Sequence, residues 1–125
     1  MAAAIRLVTP DDSERGDRVR DVLRDAVAVL DELAQRAQTM IAEVDAVVDL
    51  RDDGREWRDV LSTEEARRLT ASLAASAEAI ARANSEVRRA QASVLHDGGL
   101  SMERIGELLG VSRQRVAMLL KASDR

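Results

Sequence analysis

The fold of this chain is decided by residues 100–121, which read LSMERIGELLGVSRQRVAMLLK. Ser101 can cap a short helix that runs to Leu109, and Ser112 can cap a second one. Gly110 permits a tight turn between them, and Gly106 is small where the two helices would cross. The apolar positions of a buried corner are filled by Ile105, Leu109, Val111, Val116 and Leu119. This pattern predicts a helix-turn-helix.

A long helix is predicted well upstream, from about Glu14 to Leu50. Its apolar seam comprises Val19, Val22, Ala26, Val29, Leu33, Ala37, Met40, Val44 and Val47, with one extra four-residue step after Leu33. A second apolar row on the same helix comprises Leu23, Val27, Leu30, Ala34, Ile41 and Val48. A helix with two apolar rows needs more than one neighbour, which indicates a bundle or a dimer.

A second long helix is predicted from about Thr63 to Asp97. We expect Ser62 to cap it and Glu65 to reach back in a capping box. Large and small residues alternate along its seam, which comprises Leu69, Leu73, Ser76, Ile80, Ala83, Val87, Ala90 and Val94. In the connection, Gly54 ends the first helix and Trp57 is expected to anchor the junction. Matched lengths and a short connection predict an antiparallel hairpin.

The predicted fold is therefore all-α. It consists of a long antiparallel, coiled-coil-like helical hairpin, dimerising into a four-helix bundle, with a C-terminal helix-turn-helix. We divide the chain into a flexible leader at residues 1–13 and a dimerising hairpin at 14–97. The helix-turn-helix region at 88–122 shares the end of the second long helix.

The composition excludes several classes of function. The chain has no cysteine, one histidine (His96) and one aromatic residue (Trp57), which argues against thiolate chemistry, zinc sites and base-stacking platforms. We predict no catalytic residue, metal or cofactor, and do not expect an enzyme. No apolar run approaches the ~20 residues of a membrane span. Because residues 1–10 do not resemble a secretory signal, we expect a cytoplasmic protein without a membrane partner.

Charge is distributed unevenly along the chain. Residues 88–125 hold seven basic and four acidic residues, a net charge of +3. Residues 1–87 hold 12 basic and 19 acidic residues, a net charge of −7. An acidic body with a basic end indicates an anionic partner for the end alone.

The segment from Ile105 to Val116 resembles the DNA-binding helix-turn-helix of bacterial regulators and of sigma factor region 4. The resemblance covers residues 88–122 and does not extend to the acidic hairpin. It implies that residues 112–121 form a recognition helix that enters the major groove of double-stranded DNA.

The resemblance also implies which residues bind DNA. The outward face of the recognition helix would present Ser112, Arg113, Gln114, Ala117, Met118 and Lys121. Arginine can bind guanine and glutamine can bind adenine with two hydrogen bonds, while alanine and methionine can touch a thymine methyl group. Phosphate contacts are expected from Arg115, Lys121 and Arg104, and from the helix starts near Ser101 and Ser112.

The leading hypothesis is a dimeric, sequence-specific regulator of bacterial transcription that lies on the nucleoid when it is bound to DNA. One alternative is an adaptor or antitoxin-like protein whose acidic hairpin binds a partner protein. Another is a nucleoid-type protein that bridges DNA. Two copies with their heads at one end could place the recognition helices ~34 Å apart, whereas a head-to-tail pair would separate them by the ~50 Å length of the hairpin. The sequence does not choose between these two arrangements.

Overall fold

The computed structural model describes residues 10–123, with side chains from Asp17 to Ala122. Within this part of the chain every regular element is an α-helix, so the all-α prediction is confirmed. The helices are α1 (Pro10–Asp52), α2 (Trp57–Val60), α3 (Glu64–Asp97), α4 (Met102–Leu109) and α5 (Arg113–Ser123). The short helix α2 was not anticipated by the sequence pattern.

The first helix is longer than predicted at both ends. It begins at Pro10 rather than Glu14 and ends at Asp52 rather than Leu50. Proline is favourable in the first turn of a helix because its missing N–H has no helical acceptor there. Residues 10–13 of the predicted leader therefore belong to α1, and the rest of that leader lies outside the described residues.

The chain divides into two compact units. The hairpin unit is Val27–Arg82. The C-terminal unit combines the described residues up to Ala26 with those from Ala83 onward. Helices α1 and α3 each contribute residues to both units, whereas α4 and α5 belong to the C-terminal unit alone.

Within the hairpin unit, α1 and α3 run antiparallel. The hydroxyl of Ser76 donates a hydrogen bond to the sulfur of Met40 at 3.9 Å. Nearer the turn, the core joins Val47 of α1, Val60 of α2 and Ala66 of α3. Residue numbers thus rise along α1 as they fall along α3, which confirms the predicted antiparallel hairpin.

The anchor of the junction is Val60, so the expectation for Trp57 is wrong. Val60 is fully buried, whereas Trp57 is 48% exposed. The guanidinium of Arg51 lies over the indole ring, 5.5 Å from its centroid, a distance typical of a cation–π contact. Helix α2 directs Val60 inward and leaves the larger aromatic side chain at the surface.

The start of α3 is capped by Thr63 and not by Ser62. The hydroxyl of Thr63 accepts from the N–H of Ala66 at 3.3 Å, whereas the hydroxyl of Ser62 donates to the carbonyl of Arg58 at 2.7 Å. The capping box predicted for Ser62 and Glu65 does not form, because α2 extends the preceding turn and shifts the helix start by one residue.

Three residues predicted to lie in the seam are exposed instead. Val44 on α1 and Leu73 and Ile80 on α3 are each more than 40% exposed. Glu43 replaces Val44 at the partly buried position, and one of its carboxylate oxygens is buried without a hydrogen-bond partner among the described residues. On α3 the small residue Ser76 is buried against Met40, whereas the larger Leu73 and Ile80 are half exposed.

We predict that Thr63→Ala destabilises the protein by about 1 kcal/mol, because the first turn of α3 loses its cap. A loss of this size lowers the melting temperature by roughly 4 °C in a chain of this length. Thermal unfolding followed by circular dichroism measures the change. Ser62→Ala is the matched control, since this hydroxyl binds no N–H of α3 and only donates to the carbonyl of Arg58. An equal loss in both variants would contradict the assignment.

Candidate nucleic-acid interface

The C-terminal unit is held together by a small apolar core. Its fully or almost fully buried members are Ala92 of α3, Ile105 of α4, and Val116 and Leu119 of α5. Burying a side chain of the size of isoleucine or valine contributes roughly 1.5–3 kcal/mol. The core therefore joins three helices and fixes which face of α5 points inward.

The turn between α4 and α5 has the geometry expected from its glycines. Gly110 has a φ of +71°, a left-handed conformation that glycine adopts without steric cost. The N–H of Val111 donates to the carbonyl of Gly106 at 2.9 Å and closes the end of α4. A β-carbon placed on Gly106 would lie 2.7 Å from the carbonyl oxygen of Val111. Helix α4 and the turn that precedes α5 therefore approach so closely that only glycine fits at this position.

Both short helices begin at the serines that the sequence indicated. The hydroxyl of Ser101 accepts from the N–H of Arg104, and the hydroxyl of Ser112 accepts from the N–H of Arg115, both at 3.1 Å. Each cap satisfies one of the donors that a helix start leaves without a helical acceptor. The serine hydroxyls thus have structural roles, and the other N–H groups of each first turn have no helical acceptor.

Helix α5 has one buried face and one exposed face. Val116 and Leu119 are buried in the core. The exposed residues of α5 are Arg113, Gln114, Arg115, Ala117, Met118, Lys121 and Ala122, and Ser112 just before the helix is exposed as well. All the residues predicted for the recognition face are exposed: Ser112 caps the start of α5, and the others lie on the helix itself. None of its arginine, glutamine or lysine side chains makes a hydrogen bond or ion pair within the part of the chain that the structure describes.

Arg104 differs from the other predicted phosphate contacts because it already has a partner. Its guanidinium donates to the carboxylate of Glu107 at 2.8 Å, and both side chains are well exposed. An exposed ion pair of this kind contributes about 0–1 kcal/mol, so a phosphate could replace the carboxylate at little cost. Arg104 lies on α4, whereas the open cations Arg113, Arg115 and Lys121 lie on α5.

Arg88 has a role that the sequence analysis missed. Its Nη1 donates to the carbonyl of Leu109, the last residue of α4, at 2.7 Å, and its Nε donates to Oδ1 of Asn84 at 3.0 Å. The charge of Arg88 therefore stabilises the carboxyl end of α4, where the helix dipole favours a cation. The four-residue spacing of Asn84 and Arg88 was the only sequence signal, and it identifies no distant acceptor.

Other kinds of site find little support in the described residues. No group of three or more histidines and carboxylates is placed to hold a metal ion there, and no helix in that range is both long and apolar enough to cross a membrane. Comparisons with known protein families, curated proteins and solved structures found no match for this chain.

We predict that Gly106→Ala destabilises the C-terminal unit by about 1–3 kcal/mol, because the added methyl group collides with the backbone at Val111. Gly98→Ala is the matched control, since a β-carbon there meets its nearest atom at an ordinary 3.4 Å. Urea unfolding followed by circular dichroism compares the two variants. Equal stability of the variants would contradict the close approach.

We also predict that Arg88→Ala weakens the packing of α4 on α3 by about 1–2 kcal/mol, because the carbonyl of Leu109 loses a charged donor. Hydrogen exchange of the amides of α4 measures the loss of protection. The neighbouring Arg89→Ala serves as the control, since Arg89 is exposed. Unchanged protection of α4 in Arg88→Ala would show that the bond is unimportant.

Proposed function

We propose that this chain binds double-stranded DNA sequence-specifically through α5, as a bacterial transcriptional regulator. The observation that carries the proposal is the open face of α5, opposite the buried Val116 and Leu119. A regulator of this kind works in the cytoplasm, at the nucleoid. No catalytic step is proposed.

The chemistry of the open face suits the edges of base pairs. Arg113 and Gln114 carry side chains that can each make two hydrogen bonds to one base, to guanine and adenine respectively. Met118 is 61% exposed, although a methionine normally fills a core. With Ala117 it forms an apolar strip next to these polar groups, as contact with thymine methyl groups requires.

Electrostatics also favour a polyanion at this face. From Arg113 to Ser123, helix α5 carries three cations and no carboxylate. The nearby carboxylate of Glu107 is held by Arg104 at 2.8 Å. Arg115 and Lys121 are exposed and suit contacts with phosphates, which supply affinity without reading sequence.

The size of α5 fits the major groove. The helix has 11 residues, which corresponds to a length of ~16 Å. B-DNA has a major groove ~12 Å wide, which admits one α-helix whose first turns contact the bases. Since Arg113 and Gln114 lie in the first turn, we assign base reading to them and phosphate contacts to Arg115 and Lys121.

The test is to capture genomic DNA fragments with the purified chain over a series of salt concentrations and to sequence them. We predict an enriched motif, and we predict that Arg113→Ala combined with Gln114→Ala lowers affinity for that motif at least about 30-fold, since each two-bond contact is worth ~1–3 kcal/mol. The matched control is Arg82→Ala combined with Gln35→Ala, which removes the same two residue types from exposed positions of the hairpin unit.

Each outcome bears on a different hypothesis. Unchanged affinity in the α5 double variant would refute the proposed reading of bases. Diffuse capture that falls steeply with salt would favour a nucleoid-type protein instead. No capture at any salt would favour the adaptor or antitoxin-like alternative, in which the acidic hairpin binds a protein.

Phosphate and base contacts can be separated with a further variant. We predict that Lys121→Ala weakens binding to all sequences by a similar factor and reduces the salt dependence by about one charge. Fluorescence anisotropy with the selected site and a scrambled site measures both quantities. A loss confined to the selected site would show that Lys121 contacts a base.

A further inference from the structure

One face of the hairpin unit carries large aliphatic side chains that are exposed to solvent. They are Val27, Leu30, Ile41, Val44 and Val48 on α1 and Leu73 and Ile80 on α3, and their exposed fractions lie between 42% and 59%. We call this set the apolar face. Soluble proteins seldom leave a contiguous surface of this kind exposed to water, so the face indicates a partner.

The two rows of the apolar face lie on the same side of the hairpin. Met40 and Ser76 contact each other in the seam. In an antiparallel pair of right-handed helices, the residues that follow two facing positions turn to the same side. Ile41 and Ala77 follow Met40 and Ser76, so both rows share this side.

The opposite side of the hairpin has a different character. The residues that precede the seam contact, Thr39 and Ala75, line a groove together with Arg36, Glu43 and Ser72. This side therefore mixes charged and polar side chains with the small apolar residues Ala71 and Ala75. On α1 and α3 of the hairpin unit, the large exposed aliphatic side chains all belong to the apolar face.

We propose that the apolar face binds a second copy of this chain, and that the twofold axis runs parallel to α1 and α3. Helix α1 of each copy then packs on α3 of the other, and the four helices form a bundle. This proposal does not depend on DNA binding. The sequence left open whether the two copies pair with their heads at one end or head-to-tail, and the proposed axis corresponds to the first arrangement.

The sizes of the side chains favour α1 packing on α3 of the second copy. On α1 the row is bulky, whereas on α3 the residues around Leu73 and Ile80 include Ala74, Ala77 and Ala81. A bulky ridge packs best into a groove lined by small residues. Packing α1 on its own copy would oppose the two bulky rows and leave the alanines of α3 facing one another.

The register gives a second steric argument. Because Met40 faces Ser76, Ile80 lies level with Arg36 and therefore between Ala34 and Ala37 of α1. A twofold axis parallel to the helices preserves these levels between the copies. Ile80 of one copy then meets the small residues Ala34 and Ala37 of the other.

Charge complementarity supports the same arrangement. By the same register Asp49 lies level with Arg67, and both side chains are exposed on the outer edges of the hairpin, without an ion pair among the described residues. In the proposed dimer Asp49 of each copy lies beside Arg67 of the other. In the head-to-tail arrangement, α1 would pack on α1 of the second copy. The acidic edge formed by Asp31, Asp45 and Asp49 would then lie beside the same edge of the other copy, and the like charges would repel.

The first experiment determines the oligomeric state of the full chain by sedimentation equilibrium. We expect a dimer for the natural sequence, and we expect Ile41→Glu to raise its dissociation constant at least about 100-fold by placing a charge inside the interface. Gln35→Glu adds the same charge at an exposed position away from the apolar face and should leave the dimer intact. Circular dichroism checks that both variants remain helical. A monomeric natural chain, or equal effects of the two variants, would overturn the proposal.

The second experiment tests the direction of the dimer by reversing charges. Asp49→Arg and Arg67→Asp should each raise the dissociation constant about tenfold, whereas the double variant should restore it, because the pair is re-formed with its charges exchanged. Additive losses in the double variant would show that the two residues do not meet.

A distance measurement decides the direction independently. Because the chain has no cysteine, Asp53→Cys places a single spin label at the turn of the hairpin. The proposed axis brings the two labels to the same end, within about 25 Å, whereas the opposite arrangement separates them by more than ~40 Å, the length of the paired helices. A long distance would overturn the proposed direction.

Discussion

The candidate recognition surface depends on the close approach of α4 to the turn that precedes α5. At Gly106 even a methyl group would come within 2.7 Å of the backbone oxygen of Val111. This contact fixes the angle between the two helices, since a larger residue would push them apart. The buried Val116 and Leu119 then determine which way α5 faces, and Arg88 holds the end of α4 from a third helix. Gly106, the buried aliphatic residues and Arg88 thus together determine the position of the exposed side chains of α5.

The sequence predicted the C-terminal motif closely because its determinants are local. The capping serines lie within three residues of the N–H groups that they bind, and Gly110 takes the left-handed conformation where the turn requires it. The residues predicted for the open face of α5 are all exposed. Once the apolar residues of a short helix are buried on one face, the helical spacing directs the remaining side chains outward.

The errors lie where a distant contact or a one-residue shift decides the outcome. The helix α2 moves the start of α3 from Ser62 to Thr63, and no periodicity reveals a four-residue helix. In the seam, Glu43 is partly buried and the neighbouring Val44 is exposed. The hydrophobic pattern predicted the reverse, because it does not show how the two helices are rotated against each other. The acceptor of Arg88 lies 21 residues away along the chain, so no local rule could identify it.

The position of the single aromatic residue has a consequence for spectroscopy. Trp57 lies at the turn of the hairpin unit, half exposed beneath Arg51, and the chain has no tyrosine or phenylalanine. Its fluorescence therefore reports on that turn alone, while the C-terminal unit carries no near-ultraviolet chromophore of its own. Circular dichroism reports on the helices of both units. Melting curves from the two signals would coincide only if the units unfold cooperatively, so this one side chain makes the coupling between the units directly observable.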